Sequence, residues 1–195
     1  MEDQQSTKEE LRRQVVAAVA ALGKTERSAR TRAVEERLFE FANFLEAHIV
    51  MMYMAGEGEV DTRAMIARAL QYNKIVVLPA FDPESGDPRL YRVDRIDSGL
   101  RSGPRGVPEP DSASFKQVPL EVVDIAVVPA IALDEKGGRI GTGIGHYDRL
   151  MPQLAVTTRK VALAFETQIL PQIPMESHDK FVDIIITDTR TIYKI

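Results

Sequence analysis

Three glycines at alternate positions, Gly141, Gly143 and Gly145, lie between two cations, Arg139 and Arg149. Glycine at every second position lets a loop turn tightly and brings backbone N–H groups close to a ligand. With the flanking arginines, the segment Arg139-Ile140-Gly141-Thr142-Gly143-Ile144-Gly145-His146-Tyr147-Asp148-Arg149 reads as an anion or phosphate cradle, or else as a plain glycine-rich turn. The spacing differs from G-x-G-x-x-G, and no Gly-Lys-Ser/Thr follows, so neither a dinucleotide fingerprint nor a P-loop is matched. Lys8 and Arg12 stand four apart, hence on one helical face, and are either two phosphate-facing cations or solvated charges balanced by Glu9 and Glu10. Asp148 and Asp183 supply oxygen donors of the kind magnesium takes alongside phosphates and water. Either could equally cap a helix or pair with Arg149. Glu59 follows an apolar run, where a carboxylate can face a ligand or simply occupy a loop.

The chain has 195 residues, 44% hydrophobic and 28% charged, which suits one globular domain spanning 1–195. It holds no cysteine, which excludes disulfides, thiolate metal sites and cysteine nucleophiles. His48, His146 and His178 have no zinc-ligand spacing. Net charge is −4, which argues against a general nucleic-acid surface. No apolar run reaches membrane-spanning length, and the polar N-terminus is no signal peptide, so a cytoplasmic protein is expected.

The elements that must position these residues can be read in order. Ser6 with Glu9, or Thr7 with Glu10, forms a capping box after a frayed 1–5, and Leu11, Val15, Ala18, Val19 and Leu22 mark the buried face of the following helix. Gly23 stops it. A second helix starts near Ser28, with Val34, Leu38, Phe41 and Leu45 inward. His48–Met54 reads as a buried strand, and its Met51, Met52 and Met54 as core filling. Asp61 or Thr62 caps a third helix before a strand at Ile75–Pro79, giving a parallel strand–helix–strand unit. A loop over 82–88 leads to an exposed strand over Arg89–Ile96. Residues 98–114, rich in Gly, Pro and Ser, read as a long irregular segment, functional or mobile. Its Arg101 and Arg105 are cations that an anionic substrate tail would meet. Asp124–Leu133 is the strongest apolar run and a central strand. A turn over 134–138, a helical stretch over Leu150–Ala155, and strands over Lys160–Phe165, Asp183–Asp188 and Thr191–Tyr193 complete a three-layer α/β/α fold around a mostly parallel sheet.

Taken together, these segments resemble the 5-formyltetrahydrofolate cyclo-ligase (5,10-methenyltetrahydrofolate synthetase) family. The likeness runs from Lys8 to about Asp183, in order. It comprises Lys8-Glu-Glu-Leu-Arg12, Glu59-Val-Asp-Thr62, Asn73-Lys74 through Pro79, and Gly106-Val-Pro-Glu-Pro110. It continues through Val128-Pro-Ala-Ile-Ala-Leu-Asp134, Arg139 to Arg149, Ala164-Phe-Glu-Thr-Gln168 and Asp179-Lys-Phe-Val-Asp183. The departures are Ala130 for glycine, Leu133 for phenylalanine, His146 for the first tyrosine of Gly-Tyr-Tyr-Asp, Ile144 where glycine or lysine is common, and Val107 for isoleucine.

The resemblance implies an enzyme that uses ATP and Mg2+ to cyclise 5-formyltetrahydrofolate, with or without a polyglutamate tail, as a monomer or weak homodimer. It implies an ATP site made by Lys8, Arg12, Arg139, Ile140, Gly141, Thr142, Gly143, Ile144, Gly145, His146 and Tyr147. Lys8, Arg12 and Arg149 are the cations expected to act on the transferred group. Asp148 and Asp183 are implied as magnesium ligands, and Met54 with Glu59 as the folate contacts. A paralogue acting on another folate or small amide, and a non-catalytic folate or nucleotide binder, are the competing readings.

Overall fold

A computed structural model describes residues 2–194 of the chain. The first helix, α1, spans Glu2–Ala21. It begins earlier than the capping box implies, so Ser6 and Thr7 lie inside it. Val15 and Val19 are buried as the periodicity requires. Helix α2 (Lys24–Glu40) starts directly after Gly23 rather than near Ser28, and the five-residue α3 (Ala42–Glu46) follows an extended Phe41. Leu45 of α3 is 51% exposed, contrary to expectation, because Phe44 takes the inward position instead.

Strand β1 (Ile49–Met51) is shorter than the apolar run suggests; Met52 to Met54 stay buried beyond it. Helix α4 (Arg63–Gln71) crosses to β2 (Ile75–Phe81), which pairs with β1 in parallel as predicted. Next come β3 (Pro88–Val93), β4 (Leu100–Ser102), β5 (Pro108–Pro110) and β6 (Lys116–Val118). The segment 98–114 is therefore not irregular. It holds the antiparallel ribbon β4–β5, with the prolines of β5 confined to a two-stranded edge where they do little harm.

The run Asp124–Leu133 divides into β7 (Ile125–Val128) and β8 (Ala132–Asp134). Pro129 lacks an N–H and stands between them, where the chain leaves the sheet. Strand β9 (Arg139–Ile140) pairs antiparallel with β8, and helix α5 (His146–Leu150) runs on into a 3-10 turn at Met151–Gln153. Strands β10 (Arg159–Leu163), β11 (Ile169–Leu170), β12 (Ile184–Ile186) and β13 (Thr191–Tyr193) close the chain.

The main sheet has the order β13-β12-β10-β7-β1-β2-β3-β6, and its inner strands from β12 to β2 are parallel. All four residues of β7 are buried, as a doubly covered central strand demands. A three-stranded sheet, β11-β8-β9, stands beyond the carboxyl end of β7. No described helix is long and apolar enough to cross a membrane.

Two buried side chains tie the loops at that end. Gln168 donates from Nε2 to the carbonyls of Gly58 at 3.0 Å and Ile131 at 2.8 Å, while its Oε1 accepts the Phe165 N–H at 2.7 Å. Asp134 accepts three backbone N–H groups, from Lys136 at 3.0 Å and from Gly138 and Ile173 at 2.8 Å each. Asp134→Ala leaves these donors without their acceptor, and we expect a loss of about 2–4 kcal/mol in urea unfolding. A change under 0.5 kcal/mol would contradict that role for Asp134.

Candidate active site

A cavity of about 750 Å³ opens at the carboxyl ends of β1 and β7, the end where open α/β sheets bind ligands. Its walls come from six places: the first turns of α1, the turn after β1, the tip of the β4–β5 ribbon, the bend between β7 and β8, the stretch from β9 into α5, and the segment before β12. One side is built on glycine. Gly143 and Gly145 have φ of +98° and +74°, values that β-carbon-bearing residues seldom adopt. Arg12 donates from Nε to the Gly141 carbonyl at 2.7 Å, and a Cβ at Gly143 would meet its guanidinium at 3.5 Å. The cation from α1 thus lies along the loop, 129 residues away in sequence.

Lys8, one turn earlier, is only 7% exposed. Its ammonium is held between Asp179 and Glu176, with Glu176 Oε2 at 3.2 Å. Burial pushes the Asp179 carboxyl up, but the Lys8 hydrogen bond, the Glu176 N–H and the charges of Lys8 and His178 together outweigh it. The group is held below its usual 3.8. A depressed carboxyl stabilises the fold fully above 3.8 and loses that contribution as pH falls through the lower folded value. Asp179→Asn should therefore flatten the acid limb of stability against pH, measured by urea unfolding; an unchanged acid limb would contradict the pairing.

Arg139 is buried, bonded to Asp148 Oδ1 at 2.9 Å and to the Pro129 carbonyl at 3.3 Å. Asp148 Oδ1 also accepts the Lys180 N–H at 3.0 Å. No described residue donates to its Oδ2. Asp148 also lines the cavity, so a hard-oxygen donor faces the space between the glycine loop and Lys8.

Another part of the wall is a buried ion pair. Glu59 accepts the Gly56 N–H at 2.7 Å and Arg105 NH2 at 2.6 Å, and the Arg105 guanidinium lies 5.2 Å from the centre of the Tyr147 ring. Burial raises the Tyr147 phenol well above its ordinary range, so it stays protonated. His146 stacks on Phe81 at 4.3 Å with rings 8° from parallel. Burial, then Arg149 and Arg105, bring its pKa down to about 4, and the ring is neutral at pH 7. Its Nδ1 is buried without a hydrogen-bond partner among the described residues.

Lys8, Arg12, Glu59 and every residue from Arg139 to Asp148 line the one cavity. Three expected residues do not. Asp183 opens β12, and its carboxylate accepts the Lys160 N–H at 2.9 Å; it is a strand-end cap and brings no oxygen to the cavity. Arg149 points outward against the loop before β3, where a Cβ on Gly86 would lie 2.2 Å from its guanidinium. Met54 is core, 4% exposed, and does not reach the cavity wall. In their place the cavity includes Arg105, Glu176, His178 and Asp179. Asp179 was within reach of the sequence, since it is the first acid of the Asp179-Lys-Phe-Val-Asp183 motif whose last acid was chosen. Arg105 immediately precedes the Gly106-Val-Pro-Glu-Pro110 motif, in the segment read as irregular, where it is expected to meet an anionic substrate tail. It is instead buried against Glu59.

A family model described as the 5-formyltetrahydrofolate cyclo-ligase family matches residues 4–188. The 5-formyltetrahydrofolate cyclo-ligase of Escherichia coli K12 is 28% identical over 155 residues, covering 79% of this chain and 85% of its own. A probable 5-formyltetrahydrofolate cyclo-ligase of Caenorhabditis elegans is 29% identical over 196 residues, covering 95% and 94%. The solution structure of the Aquifex aeolicus 5,10-methenyltetrahydrofolate synthetase superposes with a TM-score of 0.83 at 30% identity, over 96% of this chain and 92% of the other.

Proposed function

The chain belongs to the 5-formyltetrahydrofolate cyclo-ligase family, and from that premise we propose that it converts 5-formyltetrahydrofolate and ATP into 5,10-methenyltetrahydrofolate, ADP and phosphate. The observation that carries this reading is one cavity with two unlike walls. A glycine loop with Lys8, Arg12 and Arg139 suits a polyphosphate, and a buried carboxylate, Glu59, suits the N–H groups of a pterin ring.

The chemistry needs both walls. An amide-like formyl oxygen is a poor leaving group. Its attack on the γ-phosphorus forms an O–P bond and breaks the bridging P–O bond, releasing ADP. N10 then adds to the activated formyl carbon, the C–O bond breaks, phosphate departs with the oxygen and the N10 proton is lost. Positioning and charge stabilisation do most of the work in such transfers. Arg12 and Lys8 lie where they hold the triphosphate against the glycine loop. Glu59 orients the pterin so that its formyl group faces the loop. Buried aromatic groups around Tyr147 keep water from the activated carbon.

Magnesium fits the donor set, because Asp148 presents a carboxylate oxygen and Mg2+ otherwise takes phosphate and water oxygens. Asp148 would hold it; bound there, the ion would offset phosphate charge. Asp183, engaged at the strand end, has no part in that role. The family match over residues 4–188 supports reading 1–195 as a single domain, and a cytoplasmic monomer or weak homodimer is part of the same proposal. The folate substrate is proposed with or without a polyglutamate tail.

The test is turnover of 5-formyltetrahydrofolate with MgATP, following methenyl absorbance and ADP together. One-to-one appearance is expected. Chelation of magnesium, or Asp148→Ala, should reduce both products by about 10²-fold or more. Folate binding without ADP formation would overturn the reading in favour of a non-catalytic binder.

A further inference from the structure

The pair Glu59–Arg105 extends the folate assignment above and rests on it. Both side chains are almost wholly buried, 1% and 4% exposed, with NH2 and Oε1 2.6 Å apart. A pair this deep contributes little net stability, since desolvation offsets the attraction. Apolar residues would hold the ribbon tip to the turn after β1 just as well. The pair nevertheless lines the cavity.

Its chemistry is asymmetric. An ionised carboxylate only accepts, and a guanidinium only donates. Side by side on one wall they offer an acceptor surface next to a donor surface. The edge of a 2-amino-4-oxopteridine has the complementary order: a donating 2-amino group, a donating N3–H and an accepting O4. A lone carboxylate reads the first two groups and repels the third. We propose that Arg105 is a specificity-determining residue, donating to the pteridine O4 while Glu59 accepts from N3–H and the 2-amino group.

The fold holds Arg105 ready for this contact. It sits in a tight turn closed by Gly106 N–H to the Gly103 carbonyl and Gly103 N–H to the Val107 carbonyl, both at 2.9 Å, with Gly106 at φ +73°. The Tyr147 ring supports its guanidinium from the other side. Among the described residues only NH2 is hydrogen-bonded, so Nε and NH1 remain as donors. Such a site rejects a pteridine carrying an amino group at position 4, because a donor would then face a donor.

The experiment is calorimetric binding, without ATP, of 5-formyltetrahydrofolate and its 4-amino-4-deoxy counterpart. The proteins are the wild type, Arg105→Met and Glu59→Gln. The wild type should favour the 4-oxo ligand by about tenfold or more, the scale of one hydrogen bond to a charged group. Arg105→Met should lose most of that preference, whereas a merely structural pair would leave the ratio of affinities unchanged. Equal wild-type affinities, or an undiminished preference in Arg105→Met, would overturn the proposal. A 4-amino pteridine also lacks the N3–H that Glu59 accepts, so the comparison of variant with wild type isolates Arg105; should Arg105→Met not fold, Arg105→Gln, which keeps a polar contact to Glu59, takes its place with the same expected loss of preference. Unchanged binding of 5-formyltetrahydrofolate by Glu59→Gln marks failure of the folate assignment itself. Weakened binding there with the preference intact in Arg105→Met marks failure of Arg105 alone.

Discussion

Lys8→Met should lower kcat/KM for ATP by about 10²–10³-fold while leaving the affinity for 5-formyltetrahydrofolate within about twofold. Lys8 is buried between Asp179 and Glu176, so its loss has two effects. It removes a cation from the phosphate wall, and it leaves two carboxylates facing an incoming polyanion. Repulsion in a partly dry cavity is weakly screened, so the second effect adds to the first. Asp179→Asn separates the two. It keeps the cation and removes one negative charge, and nucleotide affinity should hold steady or rise. Steady-state kinetics with varied ATP, alongside a circular dichroism check of folding, makes the comparison. Wild-type kinetics in Lys8→Met would remove Lys8 from the reaction.

Glu59→Gln should weaken binding of 5-formyltetrahydrofolate by about 10–100-fold, the range for losing a charged acceptor, with nucleotide affinity unchanged. The same change strands the Arg105 guanidinium in a buried position, so thermal stability should fall as well. Glu59→Gln combined with Arg105→Met removes both charges. It should recover much of the stability and none of the affinity. Recovery of affinity in the double variant would show that Glu59 acts only through the fold.

Local features were legible in the sequence, and distant pairings were not. Gly141, Gly143 and Gly145 lie within a few residues of Arg139 and Asp148, so spacing alone reads as an anion site, and the cavity is lined by that segment. The parallel β1–β2 unit was equally readable, because its apolar runs and the helix cap are contiguous. Lys8 and Asp179 are 171 residues apart, and neither periodicity nor charge pattern points one at the other. Only the likeness of the whole chain to a family placed Lys8 in a site, and that likeness pointed to Asp183, whose Oδ2 accepts a strand-end N–H, where the cavity lining instead includes Asp179. The β4–β5 ribbon was hidden by its composition. Pro108 and Pro110 read as breakers, yet Glu109 between them sits opposite Arg101 in the ladder and accepts the Phe81 N–H at 3.0 Å. That buried bond fixes the residue on which His146 stacks.

The 171-residue span from Lys8 to Asp179 also sets a schedule for synthesis. Helix α1 leaves the ribosome well before the acids that hold Lys8, which are translated 168 and 171 residues after it. At about 5–20 residues per second the interval is roughly 10–30 s. Throughout it the apolar stripe of Val15 and Val19 has no finished sheet to cover, which makes α1 a natural segment for chaperones to hold. The nucleotide wall thus closes only after most of the main sheet has been made, and a nascent chain stalled before Asp179 should carry most of the sheet and no turnover.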